Sequence, residues 1–253
     1  MSFRLLGIVR GWRNLLNKIE LLLEDPSTLV GMTTGTVSGY PQIDCHTGFF
    51  VILFSVMEIK LDNKNLFEIA TQVSRIIKNG GVAILPFDTV YGFVCDPKNN
   101  DTLEKLFAIK KRPFEQTIGI AVHDIESAKR VCKINANNEE FMAGKVPGQY
   151  TFILPASDES ISKYCRRGET IGIRIPDNKL VLEVAKLCGG SVAQTSANLT
   201  GKPECYSITE LKNQFSDNEI NQFDIIVDRG EIKSAGASRI FDLTSAVPLE
   251  IKR

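Results

Sequence analysis

The stretch Gly80–Pro113, GGVAILPFDTVYGFVCDPKNNDTLEKLFAIKKRP, combines a strand, a polar turn, a helix and a basic cluster in one unit. Val82–Leu85 is an apolar run of the length that a buried strand needs. Pro86 predicts the end of this strand, because proline lacks a backbone donor. We interpret Asp88–Gly92 as an irregular polar segment at the C-terminal end of the strand.

The second half of this stretch predicts a helix that begins near Asp101 or Thr102, either of which can cap it. Its apolar positions have helical spacing, and it ends in three cations, Lys110, Lys111 and Arg112. Cations are common at a helix C-terminus, where the macrodipole is negative. The triplet alone therefore favours an ordinary structural role.

The rest of the chain alternates between helical and strand patterns. Helices are predicted at Leu66–Ile77, Ile125–Val131, Glu139–Ala143, Leu180–Leu187 and Ile208–Phe215, and strands at Ile118–Val122, Tyr150–Leu154, Ile171–Ile175, Ser191–Gln194, Ile225–Val227, Arg239–Leu243 and Leu249–Ile251. Such alternation predicts an α/β or α+β sheet domain.

A second polar cluster changes the interpretation of the cations. Gln194–Pro203 (QTSANLTGKP) again follows a short apolar strand candidate. The pattern Lys110-x-Arg112-Pro113, followed later by Ser196-x-Asn198, resembles the signature of the YrdC/TsaC family, the L-threonylcarbamoyladenylate synthases. Supporting motifs occur in the same order as in that family: Asp88–Gly92, Pro147–Thr151, Ile171–Pro176, Gly236–Ser238 and Asp242–Thr244.

The resemblance covers residues 57–253 and implies a twisted mixed sheet with flanking helices around a deep cleft. It implies the reaction of L-threonine, bicarbonate and ATP to threonylcarbamoyl-AMP and pyrophosphate, with Mg2+ on the phosphates. The product would serve modification of tRNA position 37 through a downstream threonylcarbamoyl transferase complex, with possible contact to RNA. The expected form is the short one, without an extra C-terminal domain.

The resemblance also assigns site residues position by position. The catalytic set is Lys110, Arg112, Ser196 and Asn198. ATP would contact Lys110, Arg112, Gln116, Thr151, Ser196 and Lys252, and threonine would contact Thr89, Gln194 and Ser238. No protein metal site is expected. Because neither a GxxxxGK[ST] loop nor a GxGxxG turn occurs, cationic side chains must hold the phosphates.

Three positions depart from the family pattern. Phe87 and Arg239 stand where the family usually has Thr, and Glu204 stands where a small polar residue is common. Arg239 directly follows Ser238, so a long cation beside the expected threonine pocket would clash with the substrate or bind a different anion.

Composition sets the broad class. The 253 residues are 43% hydrophobic and 24% charged with a formal net charge of +0, so any attraction to phosphate must be local. The six cysteines lack metal-ligand spacing and indicate reduced thiols in a cytoplasmic protein.

Residues 1–56 form an N-terminal extension that differs from 57–253. Residues 3–18 are acid-free and predict a basic amphipathic helix, which would dock on its own domain or act in targeting. Residues 33–40 are typical of a linker, and the apolar run 48–56 is too short to span a membrane. A biological start at Met57 is a third possibility.

Two alternative functions fit parts of the sequence. One is a YciO-like paralogue with a different activity, against which the intact Lys-x-Arg and Ser-x-Asn pairs argue. The other is a non-catalytic RNA-binding protein, against which the zero net charge argues.

Overall fold

The computed structural model describes residues 42–44, 51–53, 56–62, 64–233, 236 and 238–252, with the backbone alone for 42–44 and 51–53. The helix predicted at 3–18 and the linker predicted at 33–40 lie outside these residues. Within the described part of the chain, no helix is long and apolar enough to cross a lipid bilayer.

The strands form a small pair and one large mixed sheet. They are β1 (Gln42–Asp44), β2 (Val51–Leu53), β3 (Met57–Lys60), β4 (Ala83–Pro86), β5 (Tyr91–Cys95), β6 (Gly119–Val122), β7 (Tyr150–Pro155), β8 (Arg166–Arg167), β9 (Thr170–Arg174), β10 (Ser191–Ser196), β11 (Ile225–Asp228), β12 (Arg239–Asp242) and β13 (Leu249–Ile251). The large sheet has the order β13-β12-β7-β9-β6-β10-β5-β4-β11-β3, with β8 paired to β9. Strands β1 and β2 form a separate antiparallel pair.

Helices flank the large sheet. They are α1 (Leu66–Lys78), α2 (Asn100–Lys110), α3 (Ile125–Val131), α4 (Ala136–Ala143), α5 (Lys179–Leu187), α6 (Ile208–Gln214) and α7 (Asp217–Ile220). Within the described residues, every helix and strand predicted from the sequence is present, and the predicted α/β class with a mixed sheet is confirmed.

The boundaries of α2 differ from the prediction in two ways. Asn99 is its N-cap, and its side chain accepts a hydrogen bond from the backbone N–H of Thr102. The helix ends at Lys110 because Lys111 adopts a left-handed conformation with φ 51°. Arg112 therefore leaves the helix and enters the following loop.

The prediction that residues 88–92 are wholly irregular was wrong. Tyr91–Cys95 is strand β5, fully buried, and it forms a hairpin with β4 through the turn in which Phe87 N–H donates to Val90 O. A glycine inside the run suggested a break, but Gly92 is needed here for a close approach. A Cβ at Gly92 would lie 2.7 Å from the Phe87 ring.

The sheet buries both faces, as near-continuous apolar strands require. On one face α2 contributes Leu103, Leu106 and Phe107 to a core that includes Phe93. On the other face α1 and α5 pack over Val94 and its neighbours in β4, β6 and β10. We call these the α2 face and the α1 face.

Strand β3 begins at Met57 and forms the edge of the large sheet beside β11. The large sheet thus starts where the sequence suggested a domain boundary. The division into 1–56 and 57–253 stays a prediction.

Candidate functional site

A cavity of about 820 Å³ opens on the α1 face, where the helical cover ends. Strand register explains its lining. Gly172 of β9 lies level with Gly119 of β6, and Gly119 is paired with Gln194 of β10. Because side chains alternate across a sheet, residues two positions away on each strand face the same space. The cavity has a volume typical of small-ligand sites.

Arg112 lines one end of the cavity. Its Nε donates to Gln116 O at 2.7 Å and its Nη2 donates to Thr117 O at 3.0 Å, which fixes the guanidinium at the wall. Hydrogen bonds among the described residues leave Nη1 for a ligand. Burial lowers the pKa of Arg112 from its usual value.

Lys110 does not line the cavity, although the sequence assigned it to the phosphates. It extends from α2 on the opposite face, where its Nζ lies 5.2 Å from the Phe93 ring centre. The amino group donates to the carbonyl oxygens of Ser196 and Asn198, the latter at 2.6 Å. Burial first, and the charge of Arg112 second, lower its pKa to about 7. The lysine therefore holds the Ser-x-Asn turn from behind.

Ser196 lines the cavity, whereas Asn198 is buried behind it and is not part of the lining. The Ser196 hydroxyl donates to Asn198 Oδ1 at 2.6 Å, and Asn198 Nδ2 donates to Lys202 O at 2.6 Å. Asn198 thus orients the serine hydroxyl, and Lys110 supports both residues.

The other end of the cavity contains an arginine that the sequence assignment missed. Arg174 is 5% exposed and lines the cavity together with Thr89. Its Nη2 donates to Asp88 Oδ1 at 2.6 Å and its Nη1 donates to Thr89 Oγ1 at 3.3 Å. Its Nε is buried without a partner among the described residues. Arg174 therefore brings a guanidinium, already paired with one carboxylate, to the cavity wall.

Three of the other assigned side chains also face the cavity. Thr151 and Ser238 lie with their hydroxyl oxygens 3.1 Å apart, and Gln194 lies beside the floor. The floor itself has no side chains at Gly119 and Gly172, so a ligand can approach the sheet closely.

Besides Lys110 and Asn198, two more assigned residues are not part of the cavity lining. Gln116 is exposed, and its backbone carbonyl accepts a hydrogen bond from Arg112 Nε. Lys252 follows β13, in which Ile251 lies opposite Ile240 of β12. Lys252 is exposed and is not among the residues that line the cavity, although Ile251 and Ile240 are.

The same alternation removes the expected clash at Arg239. Ser238, Ile240 and Asp242 face the cavity, so Arg239 faces away. Its guanidinium forms a two-pronged pair with Glu250, with Nε and Nη2 at 2.8 and 2.7 Å from the carboxylate. The prediction that Arg239 enters the threonine pocket was wrong.

The other two departures both line the cavity. Phe87 is buried, and the Arg174 guanidinium carbon lies 6.0 Å from the centre of its ring. Glu204 brings a partly buried carboxylate to the end where Ser196 lies. Phe87 therefore forms part of the wall that supports the arginine.

A magnesium ion would find few protein ligands here. Among the described residues, no three His, Cys, Asp or Glu side chains are grouped to hold a metal. Glu204 and Asp242 each bring a carboxylate to the cavity wall. This donor set suits Mg2+ held mainly by substrate phosphates with one carboxylate, which is its usual binding mode in nucleotide sites.

Comparison with known proteins identifies the family. A sequence model described as Sua5/YciO/YrdC, telomere recombination, matches residues 75–253. The chain belongs to this family. The resemblance seen in the motifs is thereby confirmed.

Relatives of the Sua5/YciO/YrdC chain include the threonylcarbamoyl-AMP synthase of Vibrio vulnificus, 29% identical over 146 residues, which are 56% of this chain and 78% of that protein. The structure of P. abyssi Sua5 complexed with L-threonine has a TM-score of 0.68 at 24% identity over 77% of this chain, and the match spans 56% of the Sua5 chain. The structure of E. coli YciO has a TM-score of 0.68 at 23% identity, and the match spans 95% of the YciO chain. The two structures confirm the predicted fold.

Proposed function

We propose that this chain is a threonylcarbamoyl-AMP synthase, which converts L-threonine, bicarbonate and ATP into threonylcarbamoyl-AMP and pyrophosphate. The activity is that of the named relatives in the family. One observation of this structure carries the proposal: a single cavity has Arg174 at one end and Arg112 at the other. The site thus offers two separate cationic ends to a substrate pair with two anionic parts.

The Arg174 end suits L-threonine. Its guanidinium lines the cavity and brings positive charge to the amino acid carboxylate, which is the anion that a planar guanidinium binds best. Thr89, Ser238 and Gln194 line the neighbouring wall and offer hydroxyl and amide groups to the threonine amine and side chain. The L-threonine in the P. abyssi Sua5 structure supports threonine as the substrate, whichever part of the cavity binds it.

The Arg112 end suits the phosphates of ATP. Arg174 lies level with Ala121 of β6, which in turn pairs with Val192 of β10. Ser196 is four residues further along β10 than Val192, so it lies four residues beyond the level of Arg174. Four strand residues correspond to roughly 13 Å. This separation leaves room for the threonine carboxylate at one end and the α-phosphate at the other.

The chemistry needs no enzyme nucleophile. Carboxylation of the threonine amine by bicarbonate gives a carbamate with loss of water. A carbamate oxygen then attacks the α-phosphorus, the new O–P bond forms, and the bond to the bridging oxygen of pyrophosphate breaks. Arg112 stabilises the charge on the phosphoryl oxygens, and the remaining contribution is the positioning of the two substrates.

Mg2+ accompanies ATP in this proposal and neutralises part of the phosphate charge when it is bound. Glu204 is the carboxylate placed to share in holding it, because it lines the phosphate end beside Ser196. The product passes to a threonylcarbamoyl transferase that modifies tRNA, and we place the enzyme in the cytoplasm. Contact with RNA belongs to the same proposal.

Release of pyrophosphate tests the function. Purified protein is incubated with ATP, bicarbonate and Mg2+, with and without L-threonine, and pyrophosphate is measured. We expect release that depends on threonine, is abolished in Arg112→Ala and persists in Lys111→Ala. Lys111 is the matched control, because it is an adjacent cation with an exposed side chain that does not line the cavity. A folded wild-type protein without threonine-dependent release refutes the proposal.

A further inference from the structure

The cavity needs more positive charge than the assigned residues supply. A triphosphate bears several negative charges, yet Lys110 is bound to carbonyl groups behind the site and Lys252 does not line the cavity. Arg174 is already paired with Asp88. Of the cations assigned from the motifs to ATP, only Arg112 lines the cavity. A further cation on this wall would complete the phosphate site.

Arg167 lines the same cavity from strand β8. It lies directly opposite Thr170 in the antiparallel pair of β8 with β9, and its carbonyl accepts a hydrogen bond from Thr170 Oγ1 at 2.9 Å. Opposite residues of an antiparallel pair project to the same face. Because Thr170 lines the cavity, the register itself places the Arg167 side chain there.

Strand β8 brings Arg167 close to the segment that carries Arg112. The 3-10 turn before β8 contains Tyr164, whose carbonyl accepts from the backbone N–H of Ile118 at 2.9 Å. Ile118 directly follows Thr117, whose carbonyl holds the Arg112 guanidinium. The two arginines therefore approach the cavity from neighbouring backbone segments.

The guanidinium of Arg167 is not engaged within the described structure. Among the described residues, no carboxylate lies within 4.0 Å of it, and no hydrogen bond from its side chain is formed. Its neighbour Arg166 differs in both respects. Arg166 lies opposite the buried Ile171, faces away from the cavity, and has its Nη2 3.8 Å from Glu169.

We propose that Arg167 binds the β- and γ-phosphates of ATP, the part that leaves as pyrophosphate, across the cavity end from Arg112. The inference rests on the proposed function for the identity of the ligand. Arg167 is exposed at the rim, whereas Arg112 is half-buried. The α-phosphate must lie inward, towards the carbamate, so the outer phosphates extend to the rim where Arg167 lies. A guanidinium can donate two parallel hydrogen bonds to phosphate oxygens.

Calorimetric binding of inorganic pyrophosphate, ATP and AMP, without threonine, tests the inference in Arg167→Gln and Arg166→Gln. Arg166→Gln is the matched control, since it removes the same charge from the same strand on the other face. We expect Arg167→Gln to weaken pyrophosphate and ATP by about tenfold or more, with AMP unchanged, because AMP has no outer phosphates. Arg166→Gln should bind all three as the wild type does.

Two results overturn the inference. The first is that Arg167→Gln binds pyrophosphate with the wild-type affinity. The second is that Arg166→Gln loses as much pyrophosphate affinity as Arg167→Gln, which would indicate a nonspecific effect of net charge. Melting temperatures of both variants verify that they are folded. Failure of the proposed function is distinguishable, because it abolishes threonine-dependent turnover while the difference in pyrophosphate binding between the two variants remains.

Discussion

Arg174 and Asp88 form a buried ion pair at the inner end of the cavity, with Nη2 2.6 Å from Oδ1. Asp88 follows β4 in the hairpin turn, and Arg174 is the last residue of β9. The other carboxylate oxygen of Asp88 accepts from the backbone N–H of Asp177 at 3.2 Å. The pair therefore fixes the arginine between two loops at the cavity wall.

Asp88→Asn should raise the KM for threonine more than the KM for ATP. The substitution leaves a buried guanidinium without its counter-charge, so we expect a loss of about 3 kcal/mol or more in the free energy of unfolding and a raised KM for threonine. Urea unfolding and steady-state kinetics measure the two effects. Asp177→Asn is the control, because its side chain is exposed and only its backbone contacts Asp88. An unchanged threonine KM in a destabilised variant would contradict the assignment.

Gly172→Ala should remove activity while keeping the fold. A Cβ at Gly172 would meet only Thr151 Cγ2, at the ordinary contact distance of 3.7 Å, yet it would project into the cavity floor. We expect a melting temperature close to wild type and at least about a tenfold loss of pyrophosphate release. Gly144→Ala serves as the control, since a Cβ there meets nothing within 4 Å. Full activity in Gly172→Ala would show that the ligand does not rest on this part of the sheet.

The free energy of unfolding should depend on pH through Lys110. Burial lowers the pKa of Lys110 to about 7 in the folded protein, below its ordinary value of 10.5. Between these values the unfolded chain binds more protons, so this lysine makes stability rise with pH, by up to about 1.4 kcal/mol per pH unit. Below pH 7 both states are protonated and the dependence ceases.

Urea unfolding of wild type and Lys110→Met at several pH values from 6 to 9 isolates this dependence. We expect the wild-type stability to rise relative to Lys110→Met above pH 7, since methionine does not titrate. Parallel curves for the two proteins would show that Lys110 keeps its proton throughout, bound to the carbonyls of Ser196 and Asn198.

Arg239→Ala should leave catalysis intact. The side chain faces away from the cavity and pairs with Glu250 at the surface, where ion pairs contribute little. We expect unchanged kcat and KM for threonine and ATP, and only a small shift in melting temperature. Glu250→Ala should behave in the same way. An altered threonine KM in Arg239→Ala would place the guanidinium at the substrate after all.

Most of the fold was predictable, because apolar runs and helical spacing depend on local sequence. Strand β5 was missed because Gly92 resembles a break, and only the packing of Phe87 against it reveals why a glycine lies inside a strand. The short strand β8 was missed because Arg166–Arg167 has no apolar residue. Its existence depends on pairing with β9, which is a tertiary interaction.

The candidate site was predictable as a set of motifs and less so as a set of contacts. Lys110 and Arg112 are two residues apart, yet the helix end between them sends one side chain behind the sheet and the other into the cavity. Arg174 was visible as the cation that ends the alternating strand Thr170–Arg174. Its partner Asp88 is distant in sequence, so only the fold shows that the two residues meet.

The alternation along β12 has a consequence for how this chain can change over evolutionary time. Residues 238, 240 and 242 face the cavity, and residues 239 and 241 face the other side, where Phe241 joins the core and Arg239 lies at the surface. Substitutions on one face leave the other face in place, which is how an arginine can occupy position 239. A one-residue insertion or deletion within the strand would instead exchange the two faces, bringing Phe241 to the substrates and Asp242 into the apolar core. A change in the length of this strand should therefore disturb the site more than a substitution on the face away from the cavity.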